Sequence, residues 1–457
     1  MCGIIGIISN EEKNTIVLEL LEGLMTLQHR GQDSAGIATE NVIIKKPGLV
    51  KYAFSDTNLE NLNTQMCIGH VRYKTNGVYN NIQPLYNILP RRITMCHNGN
   101  IINTEHLKKL LKIRYNVVLT TNSDSEIILT LFSCRLYEIM VETKEDLSES
   151  HIDKTTRFLH ENLVGSYSLV LIIENYGLIA VRDKNGVRPL IWGENNNSSI
   201  ISSESVTLKH LDYNVIRDVN PGETIIFKKY SGEIYHYNYD YSELKPCLFE
   251  YIYFARPDSI VDKLAIHKSR IAIGRLLGEK MKKTWDCNNI DIIVPVPDTS
   301  ITFANGIQDI INRPLREGLI RNRYIDRTFI MENFKVIRTN VKRKLSGIES
   351  VFKNRNVLIV DDSIVRGNTS KHIIQIVRNY GAKSIYFGSC APVIKNSNKY
   401  GIHIPTKEEL ISFQRTEEDI RQVLGVDYLI YNDLEEIVNK LRDINSNIVD
   451  FEKSMFL

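Results

Sequence analysis

Cysteine is scarce and scattered in this sequence. Seven occur in 457 residues, the closest pair being Cys67 and Cys96, so no C-x-x-C motif exists. An odd number at such spacing argues against a disulfide framework and against a sulfur-bound zinc or iron–sulfur centre. Excess charge is lacking too: 57 Lys+Arg against 54 Asp+Glu leave a net charge of +3. A protein whose main partner is nucleic acid would carry a strong basic surplus, so any phosphate binding here is expected to be local. No apolar run approaches the ~18 residues needed to cross a bilayer. The apolar start (Ile4, Ile5, Ile7, Ile8) meets Glu11 and Glu12 without a basic leader. A soluble, cytoplasmic chain with neither membrane nor nucleic-acid partner is expected.

What is present is core material. A 43% hydrophobic content supports packed domains, and the length predicts two to three of them at roughly 150 residues each. Ile16, Val17, Leu20, Leu21, Leu24 and Leu27 recur at helical spacing between Asn14 or Thr15 and Gly31. Short apolar runs follow at 67–71, 93–96, 167–173, 178–181, 199–203 and 224–227, separated by turn signals such as Asn98-Gly99, Asn185-Gly186 and Pro221-Gly222. Antiparallel sheets are expected there. In the second half, strand-like runs at 290–296, 356–360, 384–388 and 427–430 alternate with helical stretches at 269–283 and 369–380, which predicts a parallel sheet. The polar, Tyr-rich segment 230–246 is the expected boundary, giving domains over 1–236 and 245–457, the second ending in helices.

Cys2 becomes the first residue once the initiator Met1 is removed, which its small side chain permits. A free amine and a thiol then share one residue, and the amine can serve its own nucleophile as general base. Four further stretches offer what a glutamine amide would require. Arg30 and Gly31 end the first helical stretch, and Arg72 ends an apolar run where it can hold a carboxylate. Asn98 and Gly99 supply a side-chain amide beside a backbone N–H, two donors suited to an oxyanion. Asp124, before a helix, can hold an ammonium. Singly, each has a plain reading as hairpin turn, helix cap or solvated arginine. Together they resemble the class II glutamine amidotransferase domain, an N-terminal nucleophile hydrolase. That resemblance implies a four-layer αββα sandwich. By it, Cys2 is the nucleophile, Arg72 grips the glutamine carboxylate and Asp124 the ammonium. Asn98 and Gly99 form the oxyanion hole, while Arg30 and Gly31 shape the glutamine pocket.

A second motif runs from Val357 to Ser370. Four apolar residues precede Asp361-Asp362, and the polar loop Ser363-Ile364-Val365-Arg366-Gly367-Asn368 leads to a helix near Thr369. In parallel sheets ligands bind beyond the carboxyl ends of strands, where backbone N–H groups suit a phosphate and paired acids suit ribose hydroxyls or magnesium. The string resembles the phosphoribosyl pyrophosphate motif of type I phosphoribosyltransferases. The resemblance implies ligand contacts from Thr299, Ser300, Tyr324, Asp361, Asp362, Ser363, Arg366, Gly367, Asn368, Thr369 and Ser370. It also implies one Mg²⁺ per subunit near Thr299, Asp361 and Asp362. The strongly basic segment 313–344 reads as a mobile cover that neutralises departing pyrophosphate.

The stretches 246–258, 322–330 and 343–345, with the order of the two halves, resemble the amidophosphoribosyltransferase family. That family uses glutamine and phosphoribosyl pyrophosphate to make 5-phosphoribosylamine, the first step of purine synthesis. It implies an ammonia passage closed by Tyr253 and Tyr324, feedback by purine nucleotides and a homotetramer. Some members carry an iron–sulfur cluster. Here Cys247 matches one ligand position, but Asn398 stands at a second and no cysteine follows Cys390, so no cluster is expected. Arg321 and Asn368 stand where relatives often have Lys and Thr. Two other readings compete. A non-catalytic nucleic-acid regulator on a phosphoribosyltransferase fold has no use for the amino-terminal thiol, and a hexosamine-forming synthase has none for Asp361-Asp362.

Overall fold

The computed structural model describes residues 1–13, 15–59, 61–73, 81–322, 345–402 and 406–457. The first half is built from β1 (Gly3–Lys13), β2 (Ser34–Thr39), β3 (Ile43–Pro47), β4 (Thr64–Arg72), β5 (Leu85–Asn87), β6 (Ile93–Ile101), β7 (Gly165–Ile173), β8 (Gly177–Arg182), β9 (Ile191–Glu194), β10 (Ser198–Ser202), β11 (Asn214–Asp218), β12 (Glu223–Lys228) and β13 (Ile234–Asn238). They form two antiparallel sheets, ordered β11-β9-β10-β1-β4-β2-β3 and β13-β12-β8-β7-β6-β5. Along β4 the side chains alternate, as a strand requires. Met66 and Ile68 enter the core between the sheets with Ile4, Cys96, Val170 and Ile201, while Cys67 and Val71 face the helix Thr15–Thr26. The second sheet is covered by Asp124–Thr143 and Glu149–Asn162, which contribute Phe132, Leu136, Ile152 and Leu159 to a third packed layer. The result is the expected αββα sandwich.

One sequence expectation needs correcting. Asn98-Gly99 is not a turn but lies inside β6, paired across to Ser168 and Tyr167 of β7. Glycine is required because its φ is +154° and a Cβ there would sit 2.0 Å from the Ser166 carbonyl oxygen. The segment 230–246, the expected boundary, begins with sheet structure. β13 lies within it and pairs with β12, its tyrosines alternating along the strand.

Beyond residue 249 the chain makes a turn of π-helix, Glu250–Phe254, and then the long helix Ile266–Thr284. The strands Ile292–Pro295, Asn356–Asp361, Ser384–Ser389 and Tyr428–Tyr431 form a parallel sheet in that order. Val357, Leu358, Ile359 and Val360 are all fully buried because helices cover both faces. Leu358 and Val360 pack toward Ile273 and Phe303, and Val357 and Ile359 toward Ile373 and Ile420. The first of these cores continues without a break from Leu20 and Leu24 through Tyr251 to Leu441, so the two halves share one apolar interior.

Candidate functional site

The first site lies where β1, β4 and β6 end at the rim of the inter-sheet layer. Register places Ile4 opposite His70 and Ser34 opposite Arg72, so Cys2, Ser34, His70 and Arg72 occupy one face. The Cys2 backbone nitrogen donates to Asn98 Oδ1 at 3.3 Å. This orients the amide so that Nδ2, buried and without a partner among the described residues, is left as a spare donor. Asp124, first residue of its helix, accepts from the Ile101 backbone N–H at 3.1 Å and the Ser125 N–H at 2.8 Å. Arg72 closes β4. Gly31 packs so closely that a Cβ would lie 2.5 Å from the Arg72 carbonyl carbon.

Arg30 is fully buried and engaged by protein groups rather than held ready for a substrate. Its Nε donates to the Cys2 carbonyl at 3.0 Å, and its Nη atoms meet Glu204 at 2.6 Å and Glu250 at 2.7 Å. Burial opposes its charge, but the two carboxylates prevail and raise its pKa. Glu204 is correspondingly held below the usual carboxylate range by His29 and Arg30, despite its burial.

Sequence reasoning missed Ser34, His70, Glu204 and Glu250. The Ser34 hydroxyl and both His70 ring nitrogens are buried beside Arg72 without close hydrogen-bond partners among the described residues. Burial first, then Arg72, pushes the His70 pKa down to about 3, so the ring is neutral at physiological pH. A signal for His70 was present: it sits two residues before Arg72, on the same strand face. Met1 is also buried, and desolvation lowers its α-amine to about 5.

The second site forms at the carboxyl end of the parallel sheet. Asp361 ends its strand, accepts from the Asp362 N–H at 3.0 Å and lies 3.4 Å from Ser300 Oγ. Ser363 Oγ donates to Asp362 at 2.7 Å. Burial raises both carboxyls, Asp361 well above its usual value with Asp362 adding to the effect, and Asp362 to about 6. Arg270, buried on the long helix, offsets part of this for Asp362 and donates to the Tyr251 and Ala255 carbonyls. Gly367, with φ +77°, precedes the helix Asn368–Asn379, whose first turn contains Asn368, Thr369 and Ser370. Its opening N–H groups lack carbonyls upstream and suit an anion. Arg366 is paired with Glu409 at 2.7 Å. Thr299 and Ser300 stand at the start of the helix that follows Ile292–Pro295. Tyr253 lies on the π-helical turn between the sites, with its ring 5.1 Å from that of Phe254. Tyr324 lies outside the described residues, as does most of the basic cover segment, while Arg321 pairs with Asp298 at 3.1 Å.

The fit of a magnesium ion can be judged from the donor set. Two buried carboxyls that resist ionisation gain from a dication, and magnesium commonly takes one or two carboxylates plus phosphate oxygens and water. Among the described residues no three His, Cys, Asp or Glu gather around one point, so protein ligands alone do not make a cage. All seven cysteines are free thiols, and burial pushes Cys247 up to about 12. No described helix is long and apolar enough to cross a membrane.

Comparison with known proteins finds relatives for both halves of the chain. A glutamine amidotransferase domain profile matches residues 70–210 and a phosphoribosyl transferase domain profile residues 262–415. The amidophosphoribosyltransferases of Pasteurella multocida and Escherichia coli are each 40% identical over the whole of this chain and 92% of their own length. That of Methanocaldococcus jannaschii is 39% identical over 96% of the chain and 94% of its own. A solved glutamine phosphoribosylpyrophosphate amidotransferase from B. subtilis, complexed with ADP and GMP, superposes with a TM-score of 0.83 at 31% identity. It covers 98% of this chain and 94% of that one.

Proposed function

Because the chain belongs to the amidophosphoribosyltransferase family, we propose that Cys2, Asn98 and Gly99 are its glutaminase machinery and that Asp361 and Asp362 head its sugar-phosphate site. The enzyme hydrolyses glutamine and transfers the ammonia to C1 of 5-phosphoribosyl 1-pyrophosphate. The products are 5-phosphoribosylamine, pyrophosphate and glutamate, in de novo purine synthesis. The observation that carries the residue assignment is the Asn98 amide, with Oδ1 on the Cys2 nitrogen and Nδ2 buried and unpartnered among the described residues.

Removal of Met1 leaves the α-amine on the nitrogen that faces Asn98. That amine takes the thiol proton as sulfur attacks the glutamine amide carbon. Asn98 Nδ2 and the Gly99 N–H receive the developing oxyanion, and the amine returns the proton to the departing nitrogen. Ammonia leaves, and water cleaves the glutamyl thioester to glutamate. Arg72 holds the substrate carboxylate and Asp124 its ammonium. Gly31 allows the close approach of chain that Arg72 requires, and Arg30 fixes the Cys2 carbonyl.

In the second site Asp361 and Asp362 accept hydrogen bonds from ribose hydroxyls. Ser363, Arg366, Gly367, Asn368, Thr369 and Ser370 cradle the 5-phosphate, and Thr299, Ser300 and Tyr324 attend the pyrophosphate. Thr299, Asp361 and Asp362 would hold a magnesium ion, which when bound would supply neutralising charge for the leaving pyrophosphate. Ammonia must cross between sites unprotonated, since a proton would occupy its lone pair, so an apolar passage by Tyr253 and Tyr324 suits it. The domains we assign are 1–236 and 245–457, a reading supported by the end of β13 at Asn238 and the start of the π-helical turn at Glu250. A homotetramer inhibited by purine nucleotides is the assembly we assign, on the family and on the ADP and GMP bound by the B. subtilis relative. The assigned compartment is the cytoplasm, and no iron–sulfur cluster is assigned.

The test is Cys2→Ala, assayed for glutamate and pyrophosphate release with each substrate omitted in turn. Glutamine use is expected to vanish while ammonia-dependent synthesis remains. Equal loss of both would refute separate sites.

A further inference from the structure

The side chain that ties the glutaminase centre together comes from the junction, outside both sheets. Glu250 opens the π-helical turn and is 1% exposed. Its carboxylate lies between two fully buried arginines. Arg30 Nη2 donates to Oε1 at 2.7 Å and Nη1 to Oε2 at 3.1 Å, a bidentate pair, while Arg30 Nε holds the Cys2 carbonyl at 3.0 Å. On the other side Arg188 Nη1 meets Oε1 at 3.5 Å, and Arg188 Nε donates to the Tyr400 carbonyl at 3.1 Å. That carbonyl also accepts from Ser166 Oγ at 2.9 Å, and Ser166 is paired with Asn100, the residue after Gly99. One carboxylate therefore links the backbone of the nucleophile to the strand behind the oxyanion donors.

Glu204 cannot replace it. One Glu204 oxygen binds Arg30 at 2.6 Å and His29 at 2.7 Å, and the other is taken by the Arg256 N–H at 2.9 Å and Ser259 Oγ at 2.8 Å. Without Glu250, Arg30 keeps Glu204 as its carboxylate while Arg188 loses the one it faces, and a buried charge that loses its partner shifts toward another or toward water. Either shift moves the Cys2 carbonyl relative to Asn98.

We propose that Glu250 is a positioning residue of the glutaminase reaction, acting through Arg30 on Cys2 and through Arg188 on the oxyanion strand without touching substrate. The inference rests on the Cys2 and Asn98 assignment above. Its test uses the full-length, Met-processed chain and Glu250→Gln, which keeps the shape and removes the charge. Expected are a fall in kcat for glutamine hydrolysis of about tenfold or more, a change within about threefold in KM for glutamine, and slower alkylation of Cys2 by iodoacetamide. Ammonia-dependent synthesis in the same preparation should stay within about twofold of the parent, since misfolding lowers both activities together. Glu250→Asp, which keeps the charge, should recover part of the loss and carries the same comparison should Glu250→Gln not fold. Parallel loss of both activities, or no loss, overturns the proposal. A parent chain whose glutamate release survives Cys2→Ala refutes the underlying assignment instead.

Discussion

Replacing Asn98 with alanine should separate rate from stability. The side chain is 1% exposed and contributes one bond, from the Cys2 nitrogen to Oδ1 at 3.3 Å. Losing that bond costs ~0.5–1.5 kcal/mol. Its Nδ2 has no partner among the described residues, and removing an unsatisfied buried donor returns ~1–3 kcal/mol of desolvation. The terms nearly cancel, so the unfolding midpoint should move by only a few degrees. The rate has no such compensation. One oxyanion donor is worth ~2.7–4 kcal/mol, so glutamine turnover should fall ~10²–10³-fold in kcat. The assay is glutamate release at saturating glutamine, with ammonia-dependent synthesis and thermal unfolding measured on the same preparation. A midpoint lowered by about ten degrees with near-normal turnover per folded molecule would make Asn98 a packing residue and refute the reasoning.

Asp362→Asn should abolish both synthetic activities yet stabilise the ligand-free protein. A carboxyl raised from 3.8 to about 6 costs stability as pH climbs from the lower value through the higher, and the full penalty, at most about 3 kcal/mol, is present above both. The variant's unfolding midpoint should therefore exceed the parent's at pH 8 and approach it below pH 4; a lower midpoint at pH 8 would reverse the sign. Gly99→Ala should cost both glutamine turnover and stability, because φ is +154° and the Ser166 oxygen lies 2.0 Å from the new Cβ, and a parent-like midpoint would contradict this. Gly367→Ala puts a Cβ 2.4 Å from Ile411 Cδ1 at φ +77° and should raise KM for phosphoribosyl pyrophosphate alike with glutamine or ammonia as nitrogen source.

The fold was legible wherever one chain segment carries the pattern. The run at 357–360 is apolar on both faces because helices cover both, and Ile16, Val17, Leu20 and Leu24 mark the buried stripe of their helix. The candidate site was legible as residue types, and two of its placements follow local pattern: Arg72 ends β4 and Asp361 ends its parallel strand, each after an apolar run. What remained hidden depends on distant pairing. Asn98-Gly99 reads as a turn because local preference cannot reveal that β7 passes 2.0 Å from a Cβ at Gly99. Glu204 and Glu250 look like surface acids in sequence, and only the packing of the junction against Arg30 makes them buried partners.

The central claim is that nitrogen released at Cys2 reaches the ribose carbon without entering solvent. Turnover of amide-¹⁵N glutamine in excess unlabelled ammonium, corrected for synthesis from that ammonium alone, measures this by the isotopic content of 5-phosphoribosylamine. Undiluted label is predicted; label diluted to the ratio of the bulk pool would contradict it.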